Sequence, residues 1–412
     1  MKQGGFFKKT IRDVPIDGKV VLLRTDYNVP LGEKGEIGDD YRIRASLPTI
    51  KYLLKLGCKV VIISHLGRPD GKVARRFSLE PVAERLSELL GGHHVLFVPA
   101  CFGDTVTMAV KKAPKSSIVM LENLRFHKGE EANDPAFARQ LASSSMAAYF
   151  VQDGFGVVHR AHASTAAITH CLPSVAGLLL EKEYKVLSEV MNKPVRPVVA
   201  VLGGAKISDK LPLIERFIAV ADKVIIGGAM ANTFLRYLKY PVGKSLTEDG
   251  MNKTLDQIYE AAKEKVGSGG SVDDFLIIPE DVAVASEVSS HARRVNVSRR
   301  DVAPDEIILD IGLATMDLID REIRRARTVV WNGTLGMAEL EQFAHGSARL
   351  ALSLATRPKI KSIIGGGDTA DFVMGWDGTG GASFSHVSTG GGAALELMSG
   401  QPMPGVESLM DA

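Results

Sequence analysis

Cysteine is scarce in this chain of 412 residues, which has only Cys58, Cys101 and Cys171. Their odd number and wide spacing exclude a disulfide framework and a paired-cysteine metal site, and point to reduced thiols in the cytosol. An excess of charge of one sign is lacking too. Lys plus Arg number 50 and Asp plus Glu 48, a formal net charge of +2 that argues against a nucleic-acid or membrane surface held by bulk charge. No apolar run approaches the roughly 20 residues of a membrane span, and residues 1–10 carry lysines but no stretch of signal-peptide length. The expectation is a soluble cytoplasmic protein with neither nucleic acid nor membrane as partner.

What is present is an alternation. Short β-branched runs recur at residues 20–23, 60–64, 118–121, 149–152, 198–202, 224–226, 275–278, 328–331 and 362–364, with helical patterns such as 43–56 and 80–90 between them. That is the βαβ rhythm of parallel sheets. Because a single core stops growing beyond about 250 to 300 residues, the length predicts two such domains, each a doubly wound α/β sheet. Prolines flank residues 175–191, whose Ala176, Leu179, Leu180, Tyr184 and Leu187 fall at helical spacing, so a connecting helix divides the chain. The expected divisions are residues 1–173, the connecting helix 174–193, residues 194–394, and a tail 395–412 broken off by Gly400, Pro402, Pro404 and Gly405. Composition leaves open whether that tail frays or docks.

In the first half, basic residues follow the strand-like runs: Arg24 with Asp26 and Asn28, His65 with Arg68, then Arg125, then Arg160 with His162. Taken singly, these read as solvated arginines and a packed histidine. Together with Arg42 they predict one anion site, because ligands of open α/β sheets sit outside the carboxyl ends of the strands and guanidinium forks suit phosphate and carboxylate. Asp26 and Asn28 add acceptors for hydroxyl groups, although Asp26 equally suits holding Arg24 or Arg42 in place.

The second half uses glycine. Gly203-Gly204-Ala205-Lys206-Ile207-Ser208-Asp209-Lys210 ends a strand with two glycines and two lysines one helical turn apart, a phosphate-type turn without the Gly-Lys-Ser/Thr order of a Walker loop. An ordinary turn with surface lysines explains it about as well on its own. Gly365-Gly366-Gly367-Asp368-Thr369 places one carboxylate at a helix start, either as an N-cap or as a Mg²⁺ ligand beside nucleotide phosphates. Ser388-Thr389-Gly390-Gly391-Gly392 repeats the pattern one strand later. Glu339, beyond Trp331-Asn332-Gly333, suits a ribose, but read alone it is a solvated helix carboxylate.

Leu23-Arg24-Thr25-Asp26-Tyr27-Asn28-Val29-Pro30, Tyr41-Arg42-Ile43-Arg44, Ser64-His65-Leu66-Gly67-Arg68-Pro69, Leu121-Glu122-Asn123-Leu124-Arg125-Phe126, His159-Arg160-Ala161-His162 and the three Gly-rich loops together closely resemble phosphoglycerate kinases, from about Lys8 to Leu409. The resemblance implies two Rossmann-like domains joined at a hinge, acting as a monomer. One would bind 3-phosphoglycerate or 1,3-bisphosphoglycerate through Asp26, Asn28, Arg42, His65, Arg68, Arg125 and Arg160. The other would bind ADP or ATP through Lys206, Lys210, Gly312, Glu339, Gly366, Gly367, Asp368 and Thr369, with Mg²⁺ on Asp368. The tail would return to the first domain. Departures from the family pattern are Thr334 and Leu313-Ala314 where proline is expected, Ala229 for a third glycine, Val157-Val158 for Thr-Ala, and a slightly long Gly-rich stretch at residues 374–383.

The implied chemistry is reversible phosphoryl transfer to a carboxylate, which is ionised at pH 7 and needs no general base. Arg42, Lys206, Gly367, Gly390 and Gly391 are the groups expected to neutralise the moving phosphoryl. A nicotinamide-dependent dehydrogenase shares the fold class, but no Gly-x-Gly-x-x-Gly follows the first strand. A non-catalytic sensor of sugar phosphate or nucleotide would have no use for Lys206, Asp368 and two Gly-rich turns together.

Overall fold

The computed structural model describes residues 6–32 and 35–412, so Met1 to Gly5 of the lysine-bearing start lie outside the described residues. The chain forms two compact units, one of residues 1–186 with 400–412 and one of residues 187–399.

The first unit holds six parallel strands: β1 (Val20–Arg24), β2 (Lys59–Ile63), β3 (Val95–Val98), β4 (Ile118–Leu121), β5 (Tyr149–Gln152) and β6 (Ser174–Ala176), in the order β3-β4-β2-β1-β5-β6. In β2 the residues Val60 to Ile63 are all buried, as both faces of a parallel sheet are covered by helices. Arg24 is in register with Ile63 of β2 and with Gln152 of β5, so the segments carrying Asp26, His65 and Asp153 leave the sheet at one edge. The chain reverses direction across the sheet between β1 and β5, which is the switch point where such sheets bind ligands.

The tail belongs to this unit. Lys9 N–H donates to the Met410 carbonyl at 2.8 Å, Met410 N–H to Ser174 at 3.0 Å, and Gly405 N–H to Val158 at 2.9 Å. The Lys8 ammonium, buried, donates to the carbonyls of Glu407 and Leu409 and to the Asp411 carboxylate. A Cβ on Gly405 would lie 2.9 Å from Val158 Cα, and the departure from the family pattern at Val158 is thus a fully buried side chain beneath the tail.

The second unit has strands β7 (Val198–Leu202), β8 (Lys223–Ile226), β9 (Leu276–Ile277), β13 (Thr328–Asn332), β14 (Lys361–Gly365) and β15 (His386–Val387), all parallel in the order β15-β14-β13-β7-β8-β9. Leu202 pairs with Asn332 and Ile226, and Asn332 with Gly365, so Gly203, Gly227, Gly333 and Gly366 all emerge at one edge. Here the switch point lies between β7 and β13. A three-stranded antiparallel sheet of β10 (Asp281–Ala285), β11 (Val295–Ser298) and β12 (Ile307–Ile311), in the order β11-β10-β12, is inserted in this unit. The sequence reading did not anticipate it: β11 is largely exposed and lacks an apolar run, and the apolar runs of β10 and β12 were not read as strands.

Three expected boundaries shift. Val175 and Ala176 are strand β6, and the helix is Leu178–Asn192: Gly177 ends the strand, and the helical spacing had counted residues on both sides of it. The division between units falls inside that helix. The expected tail start at residue 395 falls within the helix Gly392–Met398, and the chain returns to the first unit only at Gly400, whose φ of +81° breaks the helix. Finally, Phe275 closes the short helix Val272–Phe275 rather than opening a strand.

Candidate functional site

Asp26 is the pivot of the first unit's strand edge. Its Oδ2 accepts from Nη1 of Arg42 at 2.6 Å, and its Oδ1 accepts from Asn28 N–H at 3.2 Å and lies 3.8 Å from Nδ1 of His65. Arg42 stands in the first turn of the helix Tyr41–Lys55, which brings it to the segment after β1. Asn28 Oδ1 accepts from Gly67 N–H at 2.8 Å, joining the loops that follow β1 and β2. Arg125, buried, donates through Nη1 to the Gly67 carbonyl at 2.8 Å, and its Nε lies 3.2 Å from the Glu131 carboxylate. Arg160 donates through Nε to Nε2 of His159 at 2.9 Å. That bond puts the ring proton on Nδ1, which has no hydrogen-bond partner among the described residues.

The electrostatics bind these groups into one neighbourhood. Burial first, then Arg24, Arg125 and Arg42, hold His65 well below the usual imidazole range. Burial and the same kind of repulsion from arginines lower His159 and His162 to about 4. Burial lowers Arg125 as well, and Arg160 and Arg68 add repulsion against the attraction of Glu131. Positive groups that disfavour one another's protonation while surrounding neutral histidines suit an anion. Arg68 and Asn28 are exposed, and Arg160 and Arg42 half-buried, so these donors are presented outward.

Sequence reasoning missed Glu130. It is fully buried in the short helix Lys128–Glu131, with Oε1 3.7 Å from Nη2 of Arg24 and accepting from the Ser164 hydroxyl at 2.6 Å. Its signal is faint, being one of two adjacent glutamates, of which only one turns inward.

In the second unit, close backbone approach explains the glycines. A Cβ on Gly203 would lie 2.0 Å from the Thr334 carbonyl oxygen, and Gly204 N–H donates to that same oxygen at 3.2 Å. Thr334 therefore acts here through its carbonyl, which proline would also provide. Gly228, at φ +64°, would place a Cβ 2.5 Å from the Gly204 nitrogen. Lys206 and Lys210 do not lie on the following helix: it begins at Leu211, with Pro212 in its first turn, and Lys210 is its capping position. Lys206 is exposed. The Glu248 carboxylate accepts from Ile207 N–H at 2.8 Å and Ser208 N–H at 3.2 Å and shapes this loop, another residue the sequence reading missed.

Lys210 donates to Asn332 Oδ1 at 2.6 Å and to the Asn332 carbonyl at 3.0 Å. Burial brings it down to about 8, opposed by the charges of Asp368 and Asp209. Asn332 Nδ2 is buried with no partner among the described residues, and a Cβ on Gly366 would lie 3.1 Å from it. Gly367 and Asp368 are exposed in the first turn of the helix Gly367–Trp376, whose leading N–H groups favour anions. Thr369 is buried, its hydroxyl accepting from Gly333 N–H at 2.6 Å. Lys210, Asn332, Gly333 and residues 366–369 thus form one cluster.

The remaining residues sit differently. Gly312 precedes the helix Leu313–Arg325, and a Cβ there would lie 2.3 Å from the Asp281 carboxylate, which accepts from Ala314 and Thr315 N–H at 2.9 and 2.8 Å. Gly312 makes room for that cap. Glu339 is an exposed loop residue rather than a helical one, because the chain after Gly333 stays irregular until the turn Glu341–Phe343. Gly390 N–H donates to its own loop, to Ser388 Oγ at 3.1 Å, and Gly391 at φ +51° starts the helix Gly392–Met398. In the stretch 374–383, Asp377 accepts from Thr379 N–H at 3.1 Å and Ser383 N–H at 3.2 Å, which folds the additional residues into a closed turn.

Among the described residues, no three His, Cys, Asp or Glu side chains gather as a metal cluster, and no helix is long and apolar enough to cross a membrane. Comparison with known proteins gives the family. The sequence model of phosphoglycerate kinase matches residues 11–401. The chain belongs to the phosphoglycerate kinase family. A phosphoglycerate kinase from Pelotomaculum thermopropionicum is 45% identical over 404 residues, covering 98% of this chain and 99% of that protein. One from Thermosipho africanus is 44% identical over 411 residues, with 98% of each chain covered. Two solved structures, phosphoglycerate kinases from Coxiella burnetii and Pyrococcus horikoshii OT3, match with TM-scores of 0.82, at 35% and 31% identity over 97% of this chain and 98% of theirs. Phosphoglycerate kinase neighbours of that similarity agree with the two parallel-sheet α/β domains read from the strand rhythm.

Proposed function

We propose that the arginine-rich edge of the first unit binds 3-phosphoglycerate or 1,3-bisphosphoglycerate and that the glycine-and-lysine edge of the second binds ADP or ATP. The reaction is the family's reversible phosphoryl transfer in glycolysis and gluconeogenesis. The observation that carries the reading is the crowding of Arg24, Arg125 and Arg42 around a neutral His65, with Arg160 and Arg68 beside Arg125, since such a cluster is stabilised by an anion.

In the ATP-consuming direction a carboxylate oxygen of 3-phosphoglycerate forms a bond to the γ-phosphorus while the bond from that phosphorus to the β–γ bridging oxygen breaks, and ADP leaves. Arg125, Arg68, Arg160 and His65 hold the acid, and Asp26 aims Arg42 at the transferring group. Across the reaction Lys206 and the N–H groups of Gly367 and Gly391 offset charge on the equatorial oxygens. Gly390, already bonded to Ser388, supports this role by shaping the loop. Lys210, Gly366 and Thr369 shape the phosphate cradle, while Gly312 and Glu339 lie on the nucleotide side.

Asp368 fits Mg²⁺, which takes few protein carboxylates and completes its shell with phosphates and water, in keeping with a site that has one exposed carboxylate. When bound, the ion would supply positive charge that offsets the charge of the phosphates. The enzyme acts as a cytoplasmic monomer.

A domain of this size has a radius of gyration near ~16 Å, whereas transfer needs reacting atoms about 3–3.5 Å apart. The two units therefore close on ternary-complex formation by hinging about the helix Leu178–Asn192. Incubation with 3-phosphoglycerate and Mg-ATP yields ADP; no ADP, or nicotinamide reduction instead, refutes the reading. Scattering curves that match with and without both ligands count against closure.

A further inference from the structure

Five side chains in the first unit follow one another at close range from a buried carboxylate to Arg42. Glu130 Oε1 lies 3.7 Å from Arg24 Nη2, Arg24 Nη2 lies 3.3 Å from His65 Nδ1, His65 Nδ1 lies 3.8 Å from Asp26 Oδ1, and Asp26 Oδ2 accepts from Arg42 at 2.6 Å. Glu130 and Arg24 are at most 1% exposed and His65 is 4% exposed, so water does not set their geometry. Arg24 is held from three sides: Nε donates to Ser164 Oγ at 2.7 Å, Nη1 donates to the Thr25 carbonyl, and Nη2 faces both Glu130 and His65. Ser164 in turn binds Glu130 twice, through N–H at 3.1 Å and the hydroxyl at 2.6 Å.

A guanidinium can only donate. The His65 nitrogen that meets it at 3.3 Å must therefore be the lone-pair nitrogen, so Nδ1 is the acceptor and the ring proton sits on Nε2. We propose that Glu130 is a positioning residue of the glycerate site: by anchoring Arg24, it fixes His65 as a neutral imidazole that donates through Nε2 to the bound acid. The inference rests on the glycerate-site reading above. Without the carboxylate, Arg24 keeps its Ser164 and Thr25 contacts but loses the charge that holds Nη2 toward the ring, and the imidazole is free to exchange tautomers. Arg24 and Glu130 also cancel each other's charge, leaving the outward arginines as the net positive field for ligand.

The test is ¹⁵N NMR of the imidazoles in the full-length protein, with the His65 signals assigned by their loss in His65→Asn, together with steady-state kinetics. Wild type is expected to show His65 as the Nε2–H tautomer; Nδ1–H overturns the proposal without any variant. Glu130→Gln keeps the size and one acceptor oxygen for Ser164, while its amide NH2 takes the place of the other oxygen. It is expected to give a mixture of tautomers and to raise KM for 3-phosphoglycerate about tenfold, the value of one hydrogen bond to a charged group, with KM for ATP unchanged. An unaltered tautomer, or equal rises in both KM values, overturns it. Addition of 3-phosphoglycerate to wild type tests the site reading separately, because it asks only whether the His65 Nε2 signal moves.

Discussion

The ammonium of Lys210 donates to both oxygens of Asn332, at 2.6 Å to the side chain and 3.0 Å to the backbone, so a charge carried by the loop after β7 is fastened to the end of β13. The bond spans the switch point of the second sheet, where β7 and β13 are neighbours. It also leaves the buried Asn332 Nδ2 as a donor beside Gly366.

Because burial lowers Lys210 to about 8, its charge is present at pH 7 and is lost in the free protein as pH rises through 8. Affinity for ADP is expected to fall between pH 7 and 9.5, with proton uptake on binding near pH 8, since a bound phosphate favours the charged form. Calorimetry in buffers of different ionisation enthalpy measures that uptake. Lys210→Met should abolish it, and an identical uptake in the variant would assign the proton elsewhere.

Arg42→Ala is expected to lower kcat by ~10² or more with little change in KM, as the role proposed for its charge, used mainly in the transition state, requires. Asp26 is left without its 2.6 Å partner in that variant, so Arg42→Lys serves as the companion that retains a charge. A large KM effect with kcat unchanged would give Arg42 a binding role only.

Asp153 is buried at the start of the connecting helix, where its Oδ1 accepts from Leu179 N–H at 2.9 Å and Leu180 N–H at 3.2 Å. Burial raises it to about 7, against the hydrogen bonds of Thr49 and the helix amides. The folded form therefore binds more protons than the unfolded chain between about pH 4 and 7, and ionisation of Asp153 costs stability as pH rises through that window. Asp153→Asn removes the cost. Its urea midpoint relative to wild type should be higher at pH 8 than at pH 5, and a difference independent of pH would contradict the shift.

Gly203→Ala is expected to destabilise the second unit by about 1–3 kcal/mol, the usual penalty for overpacking. Its Cβ would meet the Thr334 carbonyl oxygen at 2.0 Å, a backbone atom that cannot swing aside. Thermal unfolding monitored by the fluorescence of Trp331, buried in β13 of the same unit, checks this. An unchanged transition would mean that the β7–β13 edge is looser than its spacing implies.

Most of the parallel strands were legible because they are buried on both faces and carry continuous β-branched runs, as in Val198 to Leu202; the partly exposed Val95–Val98 and the three-residue Ser174–Ala176 were not. Most of the arginines were legible because they follow such runs; Arg42, in the first turn of a helix, is the exception. The exposed strand Val295–Ser298 and the two-residue strand His386–Val387 carry no comparable signal, and both were missed. Composition left the fate of residues 400–412 open, since what orders them is the Lys8 ammonium and the Val158 backbone, both distant in sequence.

The order of apolar and polar residues by itself determined the parallel α/β class and which strand ends carry charge, because burial on both faces of a sheet selects apolar runs of that length. Only the tertiary structure decided that Glu130 rather than Glu131 turns inward to Arg24, that Lys210 meets Asn332, and that Gly390 spends its N–H on Ser388. Those outcomes depend on distances between segments far apart in the chain, set by strand register and close backbone approach rather than by local preference.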